Sequence, residues 1–471
     1  MNKTFSIRLG TAFLGIMIFL PPSLPVIAAP ANKPNVVLIM ADDMGFEAIS
    51  GNGSESNQSP HIDALAKNGI RFTNGFSNPI CTPSRVKIMT GQYNVRNYVR
   101  FGHLDRGQTT FAHQLKRSGY KTCIAGKWQL GKESDSPQHF GFDTSCLWQH
   151  TRSGRSKDQG VTYDRRFVNP LVEVDGKERD YVSGEYGPQI CADFICNFIN
   201  QNRSEPFLVY FPMILTHCPF DPTPDSTDWD PQRLGSTTYK GDCNDPQRHF
   251  HDMVAYADKL IGQIVSQLEQ SGVRHNTLIL FTGDNGTDKP IVTQWNGTTI
   301  AGGKGTMTDR GTRVPLIANW PAGITQPGRV VDDLVEFSDI LPTLCDVTGS
   351  NLPANYSNDG LSILPILENT SVKRQKDWIY IWYRARAVMV RNKQYSLVAE
   401  PDGSNATFTR YQGAYDGEVL HAKNLSPSEQ SLKKQFEKTL ARLALTRLSS
   451  VSKEAQVNVE GFPKKKKGKN K

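Results

Sequence analysis

Short apolar runs recur along the chain at residues 35–40 (NVVLIM), 121–125, 207–211 (FLVYF), 277–281 (TLILF) and 314–319 (VPLIAN), with helical patterns between them. That alternation is the signature of a parallel α/β sheet. The helices carry proper punctuation. Ser59 and Pro60 begin one that Gly69 ends, Thr109 or Thr110 begins another that Gly119 ends, and a long one runs from about Asp252 to Gln270 before Gly272. The expected fold is α/β: a large, mostly parallel sheet sandwiched by helices.

From about residue 371 the pattern changes. Residues 378–383, 387–391 and 395–399 alternate or run as short strands joined by brief turns, which predicts an antiparallel sheet, and a helix follows over about 427–445. The expected division is a large α/β domain over 32–370, a smaller C-terminal antiparallel-sheet subdomain over 371–458, and a basic, disordered tail over 459–471.

The chain opens on a different pattern. Lys3 and Arg8 precede an apolar run over 9–20, then Pro21 and Pro22, then small residues at 28–31. This reads as a cleavable secretory signal over 1–28, cut between about 28 and 31, so the protein is expected to be secreted or periplasmic. The run is too short to span a bilayer, and no stable membrane insertion is expected. Export would place Cys81, Cys123, Cys146, Cys191, Cys196, Cys218, Cys243 and Cys345 where disulfides can form; their spacings are not of metal-site type.

The net charge of +8, from 54 Lys and Arg against 46 Asp and Glu, changes meaning once located. Lys3 and Arg8 lie in the leader, and Lys464, Lys465, Lys466, Lys467, Lys469 and Lys471 lie in the tail, which leaves 46 basic residues facing 46 acids. The body is neutral and carries no footprint for nucleic acid.

Ligands of open α/β sheets bind beyond the carboxyl ends of the strands. After the first run come Asp42 and Asp43, after the second Lys127 and Gln129, after the third His217, and after the fourth Asp284 and Asn285. Residues 78–91 read NPICTPSRVKIMTG, where Pro83 suits the first turn of a helix that Gly91 ends. Cys81 would then sit at a helix N-terminus, where backbone N–H groups and the dipole favour an anion.

The segment Cys81-Thr82-Pro83-Ser84-Arg85 matches C-x-P-S-R, and here the sequence resembles the type I sulfatases of the alkaline phosphatase superfamily. The likeness runs in order through 33–45 (KPNVVLIMADDMG), 59–77, 119–131 (GYKTCIAGKWQLG), 216–220 (THCPF), 278–286 (LILFTGDNG), 302–315 (GGKGTMTDRGTRVP) and 337–349. It implies that residues 32–370 form a sulfatase catalytic domain. It also implies that a formylglycine-generating maturation enzyme converts Cys81 to formylglycine. The hydrated aldehyde is a geminal diol: one hydroxyl attacks the sulfur of a sulfate ester, and the other is later deprotonated to expel sulfate by C–O cleavage.

By the same resemblance, Asp42, Asp43, Asp284 and Asn285 are metal ligands together with the oxygen of residue 81. Such an all-oxygen set favours Ca²⁺, with Mg²⁺ the runner-up, over Zn²⁺. Lys127 and Lys304 take the two sulfate-binding lysine positions, Arg85 steadies formylglycine and its metal neighbourhood, and His217 meets the leaving oxygen as general acid. There is one departure. The family usually reads G-K-W-H-L-G, whereas this chain has Gln129 at the fourth place, a residue that hydrogen-bonds substrate but accepts no proton.

The expected activity is therefore hydrolysis of sulfate esters on a sulfated carbohydrate. The alternatives are a formylglycine-dependent phosphonate or phosphate ester hydrolase, and a non-catalytic glycan-binding relative with an unconverted Cys81. Specificity is expected from the loops over 149–180, with His150, Arg152, Arg155, Arg165 and Arg166, and over 221–251, with Trp229, Arg248, His249 and His251. Each of those arginines is either a contact for an anionic glycan or a solvated charge.

Overall fold

The structure, a computed structural model, describes Met1 and residues 33–242, 245–370, 374–412, 415–456 and 459. The expected leader and the tail lysines lie outside the described residues. A ten-stranded sheet runs in the order Arg329–Glu336, Ile70–Phe76, Leu316–Asn319, Thr277–Gly283, Asn35–Ala41, Phe207–Pro212, Lys121–Lys127, Thr144–Trp148, Leu171–Val174, Lys177–Asp180. Asn35–Ala41 lies at its centre, parallel to both neighbours.

Its apolar run is continuous because both faces are covered. Val37 and Ile39 enter one core with Val209, Ile279 and Phe281, while Val36, Leu38 and Met40 enter a second with Tyr210, Leu278 and Leu280. The period of two along a strand divides each run between the two helical layers. Helices Gly187–Gln201 and Pro246–Gln270 close the first face; Phe111–Arg117 and Ile340–Thr348 close the second.

One expected strand runs the other way. Leu316–Asn319 pairs antiparallel with Thr277–Gly283 and with Ile70–Phe76, so the sheet is mixed on that side. The sequence pattern also passed over Ile70–Phe76 itself, whose central positions are only half-buried.

The C-terminal residues build a second sheet, an antiparallel meander of Ile379–Tyr383, Ala387–Arg391, Tyr395–Ala399, Thr407–Arg410 and Glu418–Leu420. Helix Pro427–Ala444 covers it, placing Phe436, Leu440 and Leu443 against Val388, Val390, Leu397 and Phe408. Its start is a capping box, in which Ser426 and Glu429 each satisfy the other's backbone N–H. Cys81, Cys123, Cys146, Cys191, Cys196, Cys218 and Cys345 are all unbridged and buried. Among the described residues no helix is long and apolar enough to cross a membrane.

Candidate active site

The strand ends converge as ligand sites in α/β sheets do. Asp284 N donates to Ala41 O at 2.8 Å, Asp42 N to Leu215 O at 2.7 Å, and Thr216 N to Asp42 O at 2.7 Å. Three loops are thereby laced together just past the central strands. Gly126 makes the approach feasible: at φ 122° a Cβ there would lie 2.0 Å from Pro212 O. Lys127 follows it as the last residue of its strand.

Helix Cys81–Thr90 enters this rim with all ten residues buried, which is why its sequence shows no amphipathic period. Cys81 is its first residue, and Gly91 closes it in the left-handed region at φ 64°, donating to Lys87 O. Lys127, Asp42, Asp284 and Lys304 are the electrostatic neighbours of the Cys81 thiol. Burial pushes that thiol up, with Lys127 pulling the other way.

The expected metal ligands share one buried cluster. Asp43 N donates to Asp284 Oδ1 at 3.0 Å, and Asn285 Nδ2 donates to Asp43 Oδ1 at 2.8 Å. Asp43 itself sits in the left-handed region at φ 60°, a costly conformation for a residue other than glycine. Lys127 Nζ donates to Asp42 Oδ2 at 2.6 Å and Lys304 Nζ to Asp43 Oδ2 at 2.5 Å. Arg85 reaches Asp284 Oδ2 at 3.1 Å and Asp42 Oδ2 at 3.6 Å, and its other nitrogen donates to Lys127 O at 2.8 Å.

The charges decide the protonation. Burial opposes the Asp42 carboxylate, but Lys127 and Arg85 outweigh it and hold the group below its ordinary value. Burial, reinforced by Asp42, pushes Asp284 up to about 8 against the pull of Arg85. Burial also raises Asp43 in spite of Lys304. Asp43 and Asp284 are thus short of positive charge, while Asp42 is not.

Two oxygens in the cluster, Asp42 Oδ1 and Asn285 Oδ1, are buried with no hydrogen-bond partner. Buried acceptors are satisfied as a rule, so these two fit ligands for a cation. His217 Nε2 lies 3.7 Å from Asp43 Oδ2, and Asp42, Asp43 and His217 offer donor atoms within 4.8 Å of one another. A nitrogen donor therefore stands beside the oxygen set expected from sequence.

His217 is buried, and burial, then Lys304, Lys127 and Arg166, hold its imidazole well below the ordinary value. Its ring meets the half-exposed Tyr239 edge-on, with centroids 6.1 Å apart. Gln129, two residues after Lys127, sits in the left-handed region at φ 56°, and its Oε1 is also buried without a partner.

The arginines expected to read substrate are largely engaged within the protein. Arg165 donates to Asn169 O and Tyr181 O at 2.7 and 2.5 Å, and Arg152 pairs with Asp180 at 2.6 Å. Arg166 is 3% exposed and pairs with Asp164. Sequence reasoning missed its contact with His217, because those two residues lie 51 positions apart and no local motif marks them; Asp164 is only two residues away but nothing in the sequence distinguishes that pair.

The profile of the sulfatase family matches residues 34–350, and the profile of the C-terminal region of N-sulphoglucosamine sulphohydrolase matches residues 303–444. The chain belongs to the sulfatase family, the sulfuric ester hydrolases of the alkaline phosphatase superfamily. It is 30% identical over 380 residues to an arylsulfatase of Hemicentrotus pulcherrimus, an alignment that takes in 75% of this chain and 65% of that one. The chain thus spans a little under two thirds of that relative.

The solved structure of Ps i-CgsB in complex with k-i-k-neocarrahexaose superposes with a TM-score of 0.70 at 21% identity, covering 91% of this chain and 97% of that one. The phosphonate monoester hydrolase of Agrobacterium radiobacter gives a TM-score of 0.66 at 20% identity, covering 88% and 96%. Both likenesses concern the fold. Family membership implies a metal ion and formylglycine.

Proposed function

We propose that this chain hydrolyses sulfate esters of a sulfated carbohydrate, with residue 81 as nucleophile and a divalent cation, Ca²⁺ before Mg²⁺, beside it. The observation that carries this reading is the placement of Cys81. It heads a wholly buried helix with Lys127, Lys304, Asp42 and Asp284 as its charged neighbours.

A cation held by Asp42, Asp43, Asp284 and Asn285 would supply the positive charge that lowers a nucleophile's pKa and takes a sulfate oxygen. Formylglycine at position 81 would supply, as its hydrate, one hydroxyl to attack sulfur and a second to release sulfate by C–O cleavage.

The chain's own residues do the rest. Lys127 and Lys304 present ammonium groups to the non-bridging oxygens of the sulfate. Arg85 joins the helix of residue 81 to Asp284 and to the Lys127 carbonyl, so nucleophile, cation site and sulfate site move as one body. His217, neutral at rest, directs a ring nitrogen at the leaving oxygen, and the S–O electron pair goes to that oxygen. Gln129 offers a hydrogen bond to the substrate and no base.

A carbohydrate is favoured by the N-sulphoglucosamine sulphohydrolase C-terminal match and by the k-i-k-neocarrahexaose bound to the fold neighbour. On this reading residues 1–28 form an export leader, residues 32–370 the catalytic domain and residues 371–458 a C-terminal subdomain. The protein would then work outside the cytoplasm after a maturation enzyme has acted on Cys81.

The test is parallel turnover of a panel of sulfated mono- and oligosaccharides and of phenyl phosphonate and phosphate esters by the matured chain. Release of free sulfate from one or more sugars, faster than any phosphorus ester turns over, is expected. Faster turnover of phosphonate would replace this reading with the phosphonate hydrolase one.

A further inference from the structure

His217 is held from behind by a buried chain of charges. Asp164 Oδ1 and Oδ2 accept from Arg166 Nε and Nη2 at 2.9 and 2.8 Å, a two-point ion pair at 6% and 3% exposure. The remaining nitrogen, Arg166 Nη1, lies 2.7 Å from His217 Nδ1 and donates to Cys218 O at 2.5 Å. The guanidinium also stacks over Trp148, 4.4 Å from the ring centroid, so its plane is fixed on a third side.

The chemistry of the contact decides which imidazole nitrogen carries the proton. A guanidinium has five donors and no acceptor, and it does not deprotonate in proteins. A nitrogen 2.7 Å from it accepts by offering a lone pair, and that arrangement puts the ring proton of a neutral His217 on Nε2. The Cys218 carbonyl lies against the same Nδ1 and favours the opposite tautomer, so Nδ1 stands between two competing partners; the carbonyl already accepts from Arg166 Nη1, and the arginine charge tips the balance toward Nε2–H. Nε2 is the atom that faces the cluster, 3.7 Å from Asp43 Oδ2.

We infer that Arg166, oriented by Asp164, is a positioning residue that selects the Nε2–H tautomer of His217 and aims it at the leaving-group oxygen. The inference rests on the role given to His217 above. As the ester S–O bond breaks and its electron pair moves to the leaving oxygen, the neutral ring keeps its proton and Nε2–H hydrogen-bonds the negative charge developing there, while the proton given up by the attacking hydroxyl completes the alcohol. Without Arg166 the proton is free to reside on Nδ1, facing the Cys218 carbonyl, and the leaving oxygen loses its donor. Poor leaving groups such as sugar alcohols need that donor most, and nitrophenolates need it least.

The experiment measures kcat/KM of the matured, cation-loaded full chain on aryl sulfates of rising leaving-group pKa and on a sulfated sugar. The variants are Arg166→Gln, Asp164→Asn, His217→Ala and the double variant Arg166→Gln/His217→Ala. Arg166→Gln is expected to steepen the dependence on leaving-group pKa, with about 100-fold more loss on the sugar than on the nitrophenyl ester. Asp164→Asn, which keeps the guanidinium but loosens its orientation, should shift the slope in the same direction by less. The double variant should lose no more than His217→Ala, as expected when one residue acts through another.

A steep slope for His217→Ala beside an unchanged slope and uniform loss for both Arg166→Gln and Asp164→Asn would overturn the inference and leave His217 its role. An unchanged slope for His217→Ala would overturn that role, and the inference with it.

Discussion

Arg85 Nη2 meets Asp284 Oδ2 at 3.1 Å, joining residues 199 positions apart in the chain. The bond ties the second turn of the helix that bears residue 81 to the end of a central strand, and both side chains are fully buried. The same guanidinium holds Lys127 O, so three elements depend on one planar fork.

Arg85→Lys should therefore behave as a severe change even though it keeps the charge. A lysine cannot span Asp284 and the Lys127 carbonyl together, and a displacement of about 1 Å at residue 81 is enough to cost about 100-fold in kcat. Steady-state kinetics on an aryl sulfate, with calorimetric titration of the cation, test this. Retention of more than half the activity would show that the fork does not hold the site.

The carboxylate cluster makes stability depend on cation and pH together. Burial and Asp42 raise Asp284 from 3.8 to about 8, so the cation-free folded chain keeps a proton there that the unfolded chain has released. The stabilisation linked to that proton is complete below the unfolded value and is lost as the pH rises through about 8. Thermal unfolding after chelation should show this contribution to the midpoint falling away between about pH 4 and about pH 8, and excess Ca²⁺ should flatten that fall. An identical pH dependence with and without Ca²⁺ would remove the cation from the cluster.

Gln129 predicts a kinetic imbalance. Its amide assists but cannot take the proton whose removal expels sulfate, so the first half-reaction should outrun the second. Rapid mixing with an aryl sulfate should show a burst of leaving group before a slower steady state. Gln129→His should abolish the burst and raise the steady-state rate, by about 100-fold if general base catalysis is restored in full. A wild-type chain without a burst would show that another group already serves as base.

Behind the helix of residue 81 lies a second buried ionic cluster. Glu336 accepts from Lys87 Nζ, from Lys376 Nζ at 2.7 Å and from Tyr93 Oη at 3.2 Å, while Asp339 pairs with Lys376 at 2.6 Å and with Arg374. It joins that helix to residues leading into the C-terminal sheet. Glu336→Gln leaves Lys87 buried without its carboxylate partner, while Lys376 keeps Asp339, and should destabilise the fold by about 3–5 kcal/mol in urea unfolding. A change below about 1 kcal/mol would mean the cluster relaxes without penalty.

Much of this was legible in the chain before the structure. Residues 35–40 announced their strand because both faces of it are buried, and Asp42, Asp43, Asp284 and Asn285 announced the rim because they follow strands directly. Strand direction was not legible: residues 314–319 read as a strand, and apolar periodicity carries no sign for parallel or antiparallel pairing. Ile70–Phe76 was hidden by its partly exposed centre. Arg166 was visible only as one cation among several in a loop, since what distinguishes it is a pairing with Asp164 and His217 that only the folded chain assembles.

The most direct test of the account is the mass of the peptide containing residue 81, from chain produced together with a formylglycine-generating enzyme, read alongside free sulfate released from sulfated sugars. The account predicts a formylglycine mass at position 81 and sulfate release that disappears in Cys81→Ala. An unmodified cysteine in chain that nonetheless releases sulfate, or full conversion with no ester of any sugar cleaved, would contradict it.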